Sequence, residues 1–469
     1  MVFSTTMLPP VLVDWIYQEN EAAPFINAFA LILIVGFVLF LPFRNHKKDL
    51  RLRDGFMVVV MFWFVLGSAG GLPFYLSNAN ELSITDSIFE SISGLTTTGA
   101  TVIVGLDELP HSILFYRQFI QWLGGMGIIV LAVAVLPMLG IGGMQLYRAE
   151  TPGPVKDTKL TPRITETAKA LWYIYLGLTI SCGLAYWLAG MNGFDAVAHA
   201  FSTVAIGGFS THDASMGYFN NRGIELIAIV FMLLSGVNFA LHYAALRHRR
   251  LKPYLRDAEF GTYILVLTVV SLITISYLYM TKTFSSPMDS LIEGLFQVVS
   301  IGTTTGFTTQ EYYSWPGFLP VLLLYVSFIG GCAGSTGGGI KVIRILLLVK
   351  QGMRELRRLV HPSAQFTVKI GRKPVPDKVI EAVWGFFAAY FAISALMILL
   401  LMASGLNQDT AFSAVAACLN NLGPGLDQVG QNFSTINDFA KWVLCLAMLL
   451  GRLEIFTLLV LLTPGFWRK

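Results

Sequence analysis

The chain has 469 residues, 55% of them hydrophobic and only 13% charged, with a formal net charge of +4 and a mean hydropathy of +0.65. Soluble domains carry roughly 25% charged residues. This composition therefore excludes a water-soluble enzyme or nucleic-acid-binding domain and places the chain in a bilayer.

In chain order, Met1–Ile16 is apolar but short for a full crossing, and it lacks the basic start and small-residue cleavage site of a secretory signal. It reads as one short extra helix. Apolar runs long enough to cross about 30 Å of hydrocarbon, about 20 residues each, fall near 25–43, 55–76, 113–139, 170–190, 223–246, 260–280, 316–350, 379–404 and 438–463. That gives about nine crossings. Shorter apolar stretches near 84–95, 195–205, 289–301 and 409–419 each run into a polar, glycine-bearing turn. The turns are Thr96-Thr97-Thr98-Gly99, Ala205-Ile206-Gly207-Gly208, Thr303-Thr304-Thr305-Gly306 and Asn420-Asn421-Leu422-Gly423. Stretches of about a dozen residues are too short to span, so they read as re-entrant half-helices.

The repetition extends beyond the turns. An acid, Asp86, Asp195, Glu293 or Asp409, stands 13 or 14 residues before the glycine of each turn, where a carboxylate would favour a helix N-terminus. A second glycine, Gly125, Gly236, Gly331 or Gly451, follows the first by 25 to 28 residues, inside the next helix. Glycine there lets helix backbones approach closely. Acid, turn and glycine recurring in register four times mark internal repeats.

Basic residues set the orientation. Segments 44–54, 148–169, 247–256 and 350–378, with Arg468 and Lys469, hold 5, 5, 5, 8 and 2 of the lysines and arginines, or 25 of 32. The positive-inside rule makes these segments cytoplasmic and puts the turns on the external side. All four repeats then run in the same direction. The fold class expected is all-α integral membrane, with four parallel helix, pore loop, helix repeats around one pore and an N-terminal extra helix region. The boundaries are 1–54 for the N-terminal region, 55–169 for repeat 1, 170–256 for repeat 2, 257–378 for repeat 3 and 379–469 for repeat 4.

Backbone carbonyls are natural ligands for a dehydrated alkali cation, and a ring of them can replace its hydration shell. Glycine readily takes the backbone angles that aim carbonyls at one axis. Half-helices entering from outside would point their negative C-terminal ends toward such a ring. The candidate filter residues are Thr97, Thr98 and Gly99; Ile206, Gly207 and Gly208; Thr304, Thr305 and Gly306; and Asn421, Leu422 and Gly423. The plainer alternative is four ordinary Thr- and Gly-rich external loops.

Several motifs resemble the Trk/Ktr/HKT superfamily of potassium transporters, most closely its bacterial TrkH branch. They are Ser93 to Thr101, Ser300 to Thr309, Gly330 to Lys341, Asn420 to Gly425, and Gly451-Arg452-Leu453-Glu454. The resemblance covers nearly the whole chain. It implies a four-repeat potassium-channel-like pore, a homodimer in the bacterial inner membrane with a cytoplasmic C-terminus, and a cytosolic TrkA-type nucleotide-binding partner. No cofactor is expected in this chain: potassium is the substrate, and ATP, ADP or NAD belongs on the partner. The resemblance also links potassium preference to glycine at all four filter positions, as here. Repeat 2 departs from the pattern with Ile206-Gly207, and repeat 4 with Asn and Leu in place of Thr. The N-terminal region is expected to be shorter than in relatives, which have two full leading helices.

The apolar stretch 316–350 would be about 52 Å long as one helix. The run Gly330, Gly331, Cys332, Ala333, Gly334, Ser335, Thr336, Gly337, Gly338 and Gly339 interrupts it. The resemblance implies that this loop, 330–340, is an intramembrane gate just below the filter. A kink that merely helps packing is the alternative, and a phosphate-binding P-loop is excluded by its spacing. Arg452, directly after Gly451, is an intramembrane charge expected to face the pore, where it would repel cations or hold the loop's carbonyls; pairing with Glu454 or snorkelling toward a surface is the structural alternative. Lys341 and Arg344 are expected to snorkel toward the cytoplasm. Arg117 and Lys441 are expected near the outer surface without a special role. The basic segment 350–378 fits either an acidic partner face or anionic lipid. The four cysteines and seven histidines show no metal-ligand spacing, and no nucleophile and base pair is readable. The chain is therefore not expected to be an enzyme. An alternating-access carrier coupled to sodium or protons is the functional alternative, although the parallel repeats disfavour it.

Overall fold

The computed structural model describes residues 1–45, 52–130, 164–371 and 373–467. A 3-10 turn over Val2–Met7 leads into α1 (Leu8–Tyr17), which has proline at its first turn, where no amide partner is required. Helix α2 (Ala22–Phe40) follows. Met7, Phe25 and Ala28 share one core with Phe74, Ile113, Tyr116 and Ile120, so the N-terminal region packs on the first repeat.

The principal helices then repeat as helix, half-helix, helix. Repeat 1 has α3 (Leu52–Ala69), α4 (Ile84–Leu95) and α5 (His111–Val130). Repeat 2 has α6 (Ile164–Leu188), α7 (Gly193–Ala205), α8 (Arg222–Ser235) and α9 (Phe239–His248). Repeat 3 has α10 (Ala258–Met280), α11 (Pro287–Gly302), α12 (Leu319–Ile329) and α13 (Val342–Val360). Repeat 4 has α14 (Asp377–Ala403), α15 (Gln408–Leu419), α16 (Asp438–Arg452) and α17 (Phe456–Leu462). A two-residue hairpin, β1 (Lys369–Ile370) with β2 (Lys373–Pro374), is the only sheet among the described residues.

Among those residues five helical segments are long and apolar enough to cross a membrane, or seven if each bent pair counts as one crossing. The five, Ala22–Phe43, Asp54–Leu76, Lys169–Leu188, Ala258–Met280 and Asp377–Ala403, match expected crossings. The crossings expected at 223–246 and 438–463 are instead broken, with bends of 93° between α8 and α9 and 114° between α16 and α17. The crossing expected at 316–350 resolves into α12, a loop, and α13, an amphipathic helix that runs on to Val360 with Arg357 and Arg358 in its last turn. The expected 113–139 crossing is described as helix to Val130; its remainder, like most of segments 44–54 and 148–169, lies outside the described residues. Arg372 and the pair Arg468 and Lys469 also lie outside them.

The half-helices form where expected, with 12, 13, 16 and 12 residues. Each is capped by a side chain that accepts an early backbone N–H: Ser83, Asn192, Ser286 and Asn407. Asp86, Asp195 and Asp409 stand in first turns, as expected. Glu293 does not: Ser286-Pro287 starts α11 a turn earlier, and Asp289 holds the first-turn position. Adjacent repeats interlock through shared cores, with Phe296 and Val299 packing against α6 to α8, Ala416 and Leu422 against α10 to α12, and Val59, Phe89 and Leu95 against α14 to α16.

Candidate ion pathway

The four half-helices deliver one backbone conformation. Two residues before each turn glycine the chain is left-handed, at Thr97 (φ 52°), Ile206 (55°), Thr304 (68°) and Asn421 (53°). The glycines are left-handed again, at 83°, 80°, 84° and 98° for Gly99, Gly208, Gly306 and Gly423. Three of the first set are β-branched, for which a positive φ is an outlier costing on the order of 1–3 kcal/mol.

The glycines also close a ring. A Cβ on Gly99 would fall within 3.0 Å of the Gly207 carbonyl oxygen, one on Gly208 within 3.0 Å of Thr305 O, one on Gly306 within 3.0 Å of Leu422 O, and one on Gly423 at 2.7 Å from Thr98 O. Each glycine thus faces the residue before the glycine of the next repeat, and repeat 4 returns to repeat 1. The Thr98 and Thr305 hydroxyls are turned into the protein: Thr98 Oγ1 contacts Thr96 Oγ1 at 2.7 Å and accepts from Asn421 Nδ2 at 3.0 Å, and Thr305 Oγ1 contacts Thr303 Oγ1 at 2.7 Å. The four glycines and the residue before each, Thr98, Gly207, Thr305 and Leu422, therefore meet across the repeats, with backbone oxygens as the groups common to the four turns, while Thr97, Ile206, Thr304 and Asn421 share the left-handed backbone that precedes them.

Buried polar side chains brace this ring. Arg117, expected near the surface, is fully buried: Nε donates to Glu90 Oε1 at 2.8 Å, Nη1 to Ser210 O at 2.9 Å and Nη2 to Thr101 Oγ1 at 3.1 Å. It ties the exit of turn 1 to the exit of turn 2. Gln121 Nε2 donates to Gly207 O at 2.7 Å, and its Oε1 accepts from Ser202 Oγ and Phe209 N. Lys441, also expected at the surface, is buried and donates to Asp86 at 2.6 Å, joining α16 to the start of α4. These residues gave no signal beyond being polar in an apolar helix. In the loop after turn 2, His212 lies between Asp107 (2.5 Å) and Asp195 (3.2 Å). Burial disfavours its charged form, but hydrogen bonds and charge from the two aspartates outweigh this and raise its pKa.

The glycine-rich loop lies against the underside of these turns. Gly330, Gly334 and Gly339 have positive φ. Gly338 N donates to Thr304 Oγ1 at 2.7 Å, Gly339 N to Asn420 O at 2.9 Å, and Thr336 Oγ1 to Val204 O at 3.0 Å. Cys332 N donates to Gly236 O at 2.9 Å, and Phe239 N to Gly334 O at 3.0 Å, so the loop sits in the break between α8 and α9. Gly331 Cα lies near Gly337, and Ser335 Oγ donates to Cys332 O at 2.6 Å. Arg452 Nη1 donates to Thr336 O at 3.2 Å, while its Nε and Nη2 are buried without a hydrogen-bond partner among the described residues. Glu454 pairs with Arg344 rather than with Arg452. Arg344 is buried and lies 4.1 Å over the Phe386 ring, so it does not snorkel. The Lys341 ammonium donates to Gly337 O.

Among the described residues no group of three or more His, Cys, Asp or Glu is placed to hold a metal ion, and the four cysteines are free and buried.

Comparison with known proteins gives one consistent result. Residues 22–468 match the TrkH family, described as cation transport protein. The chain is 61% identical over 470 residues to the Trk system potassium uptake protein TrkH of Vibrio parahaemolyticus, covering 100% of this chain and 97% of that protein. It is 56% identical to TrkH of Escherichia coli K12, with the same coverage, and 43% identical to TrkG of that organism over 100% of this chain and 96% of TrkG. The crystal structure of the potassium transporter TrkH from Vibrio parahaemolyticus superposes with a TM-score of 0.91 at 57% identity, covering 100% of this chain and 97% of that one. These relatives are transporters rather than enzymes, and the chain is a multi-pass α-helical membrane protein that belongs to the TrkH family of cation transport proteins.

Proposed function

We propose that this chain is a potassium uptake protein in which ions pass a gated, channel-like pore. The observation that supports this most is the paired left-handed backbone, a non-glycine residue and a glycine two positions on, repeated four times and closed into a ring. Peptide oxygens so placed are hard ligands suited to a dehydrated potassium ion. The C-terminal ends of α4, α7, α11 and α15 add negative potential at the same level. The loop 330–340, held against the turns and fastened by Arg452, is the gate in its closed position. The basic segments face the cytoplasm of a bacterial inner membrane and the turns face outward. The working unit is a homodimer docked on a cytosolic, TrkA-type nucleotide-binding ring. No cofactor is bound by this chain, and nucleotide acts through the partner alone.

Potassium uptake by potassium-transport-deficient bacteria expressing the chain, with and without the nucleotide-binding partner, tests the reading directly. Growth rescue at low potassium that depends on the partner is the expected result; no rescue in either case would overturn it. Planar-bilayer recording of purified protein separates the mechanisms. Discrete openings with flux down the gradient are expected, whereas a fixed stoichiometry with sodium or protons would mean a coupled carrier.

A further inference from the structure

A cavity of about 390 Å³ lies away from the ring, lined by Asn220, Asn221, Arg222, Glu225, Asp289, Ile292 and Glu293. It sits between the first turn of α8 and the first half of α11. Glu225 is only 6% exposed, and among the described residues its carboxylate has no hydrogen bond or ion pair. Its charged neighbours are Glu293, Arg222 and Asp289. The guanidinium of Arg222 is engaged by Asp289. Glu293 accepts hydrogen bonds from the Thr309 hydroxyl and the Gln310 side chain but has no cationic partner among the described residues. Three carboxylates and one guanidinium line one cleft open to the surface, so two of the carboxylates lack a cation among the described residues. A buried carboxylate without a partner is costly, and such groups are ordinarily paired or bound to a metal.

We propose that this cavity binds one divalent cation of the hard, oxygen-seeking kind, magnesium with part of its water shell, between Glu225 and Glu293. Two uncompensated carboxylates match one divalent charge. Among the described residues no three carboxylates are placed to ligate an ion together, but a cavity of this volume has room for an ion with its waters, and magnesium characteristically keeps several waters while using one or two carboxylates. The ion would clamp α8 of repeat 2 to α11 of repeat 3. Through Glu293 and Thr309 it would brace the segment that leaves turn 3 three residues after Gly306.

The probe is manganese(II), titrated onto purified full-length protein in lipid nanodiscs at constant high potassium, with the free ion followed by electron paramagnetic resonance. One saturable site per chain, displaced by magnesium, is expected. Glu225→Gln should weaken it by about tenfold or more through loss of one charge. Arg222→Gln, at an exposed position, releases Asp289 and should tighten it. Absence of a saturable site, displacement by sodium as effective as by magnesium, or unchanged affinity in Arg222→Gln would each overturn the proposal. That last variant decides the matter should Glu225→Gln fail to fold. Binding is read without ion flux, so the outcome is independent of the transport reading.

Discussion

Each turn glycine is constrained twice, by a positive φ and by a neighbouring repeat's carbonyl where a side chain would begin. Gly99→Ser therefore has to displace the Gly207 peptide, and we expect a fall in potassium over sodium selectivity, measured as a shift in reversal potential under bi-ionic conditions. Gly423 has the loosest approach, 2.7 Å, so Gly423→Ser should shift it least. Unaltered selectivity in all four serine variants would remove the backbone-oxygen argument. The glycines were legible in the sequence because few other residues tolerate those angles. The left-handed Thr97, Ile206 and Thr304 were not, because β-branched residues resist that region and only the surrounding fold forces them into it. Arg117 was misread for another reason. A lone cation near a helix end looks like a snorkelling side chain, and its partner Glu90 reveals itself only when α4 packs against α5. Arg117→Ala strands that carboxylate in the interior, for which a loss of about 3–5 kcal/mol is usual. The check is denaturation of the purified protein, with the double variant Glu90→Gln, Arg117→Met expected to recover much of the loss.

At the level of elements, the second helices of repeats 2, 3 and 4 all break near their second glycine, after Ser235, Ile329 and Arg452. Only the break in repeat 3 was legible, since a run of glycines cannot propagate helix cheaply. A single Gly236 or Gly451 is tolerated in most helices. In repeat 4 the bend depends on Glu454 and Ile455, both at positive φ, which nothing in their residue types signals. The position of the glycine-rich loop follows from these breaks, because it occupies the α8 to α9 gap and is met by Arg452 from the end of α16. Arg452→Ala removes a charged donor to Thr336 O, a bond of about 1.5–3 kcal/mol. We expect partner-free flux to rise, at most on the order of 10- to 100-fold by that energy, with the unpartnered Nε and Nη2 reducing the net effect. Gly338→Ala should act in the same direction, since its Cβ would collide with Asn420 O. Both are read as partner-free potassium flux from proteoliposomes, and unchanged or lower flux in well-folded Arg452→Ala protein would sink its latch role.

For the molecule as a whole, the ring has one seam that differs from the rest. Repeats 1 to 2, 2 to 3 and 3 to 4 are consecutive in the chain, whereas repeat 4 meets repeat 1 only through non-covalent contacts. Those contacts are Asn421 Nδ2 to Thr98 Oγ1 at 3.0 Å, Phe433 N to Thr101 O at 2.8 Å, the Phe89 and Phe433 rings at 5.6 Å, and Lys441 to Asp86 at 2.6 Å. The four-repeat plan was legible from the sequence, but this closure was not, because its partners lie more than 300 residues apart. Loss of the Lys441 charge leaves Asp86, whose side chain is 20% exposed, at the capped start of α4. Water reaches that carboxylate, so the cost falls below the 3–5 kcal/mol of a fully buried pair, to about 1–3 kcal/mol. A seam weakened by that amount should open locally before the molecule unfolds. Hydrogen exchange of Lys441→Met is therefore expected to quicken in residues 86–101 and 430–441 while staying unchanged in 202–208 and 300–305, which form the opposite seam where Gly208 meets Thr305. Uniform quickening over all four turns would mean that Lys441 supports the fold generally, and no change anywhere would mean that the aromatic and backbone contacts hold the seam without it.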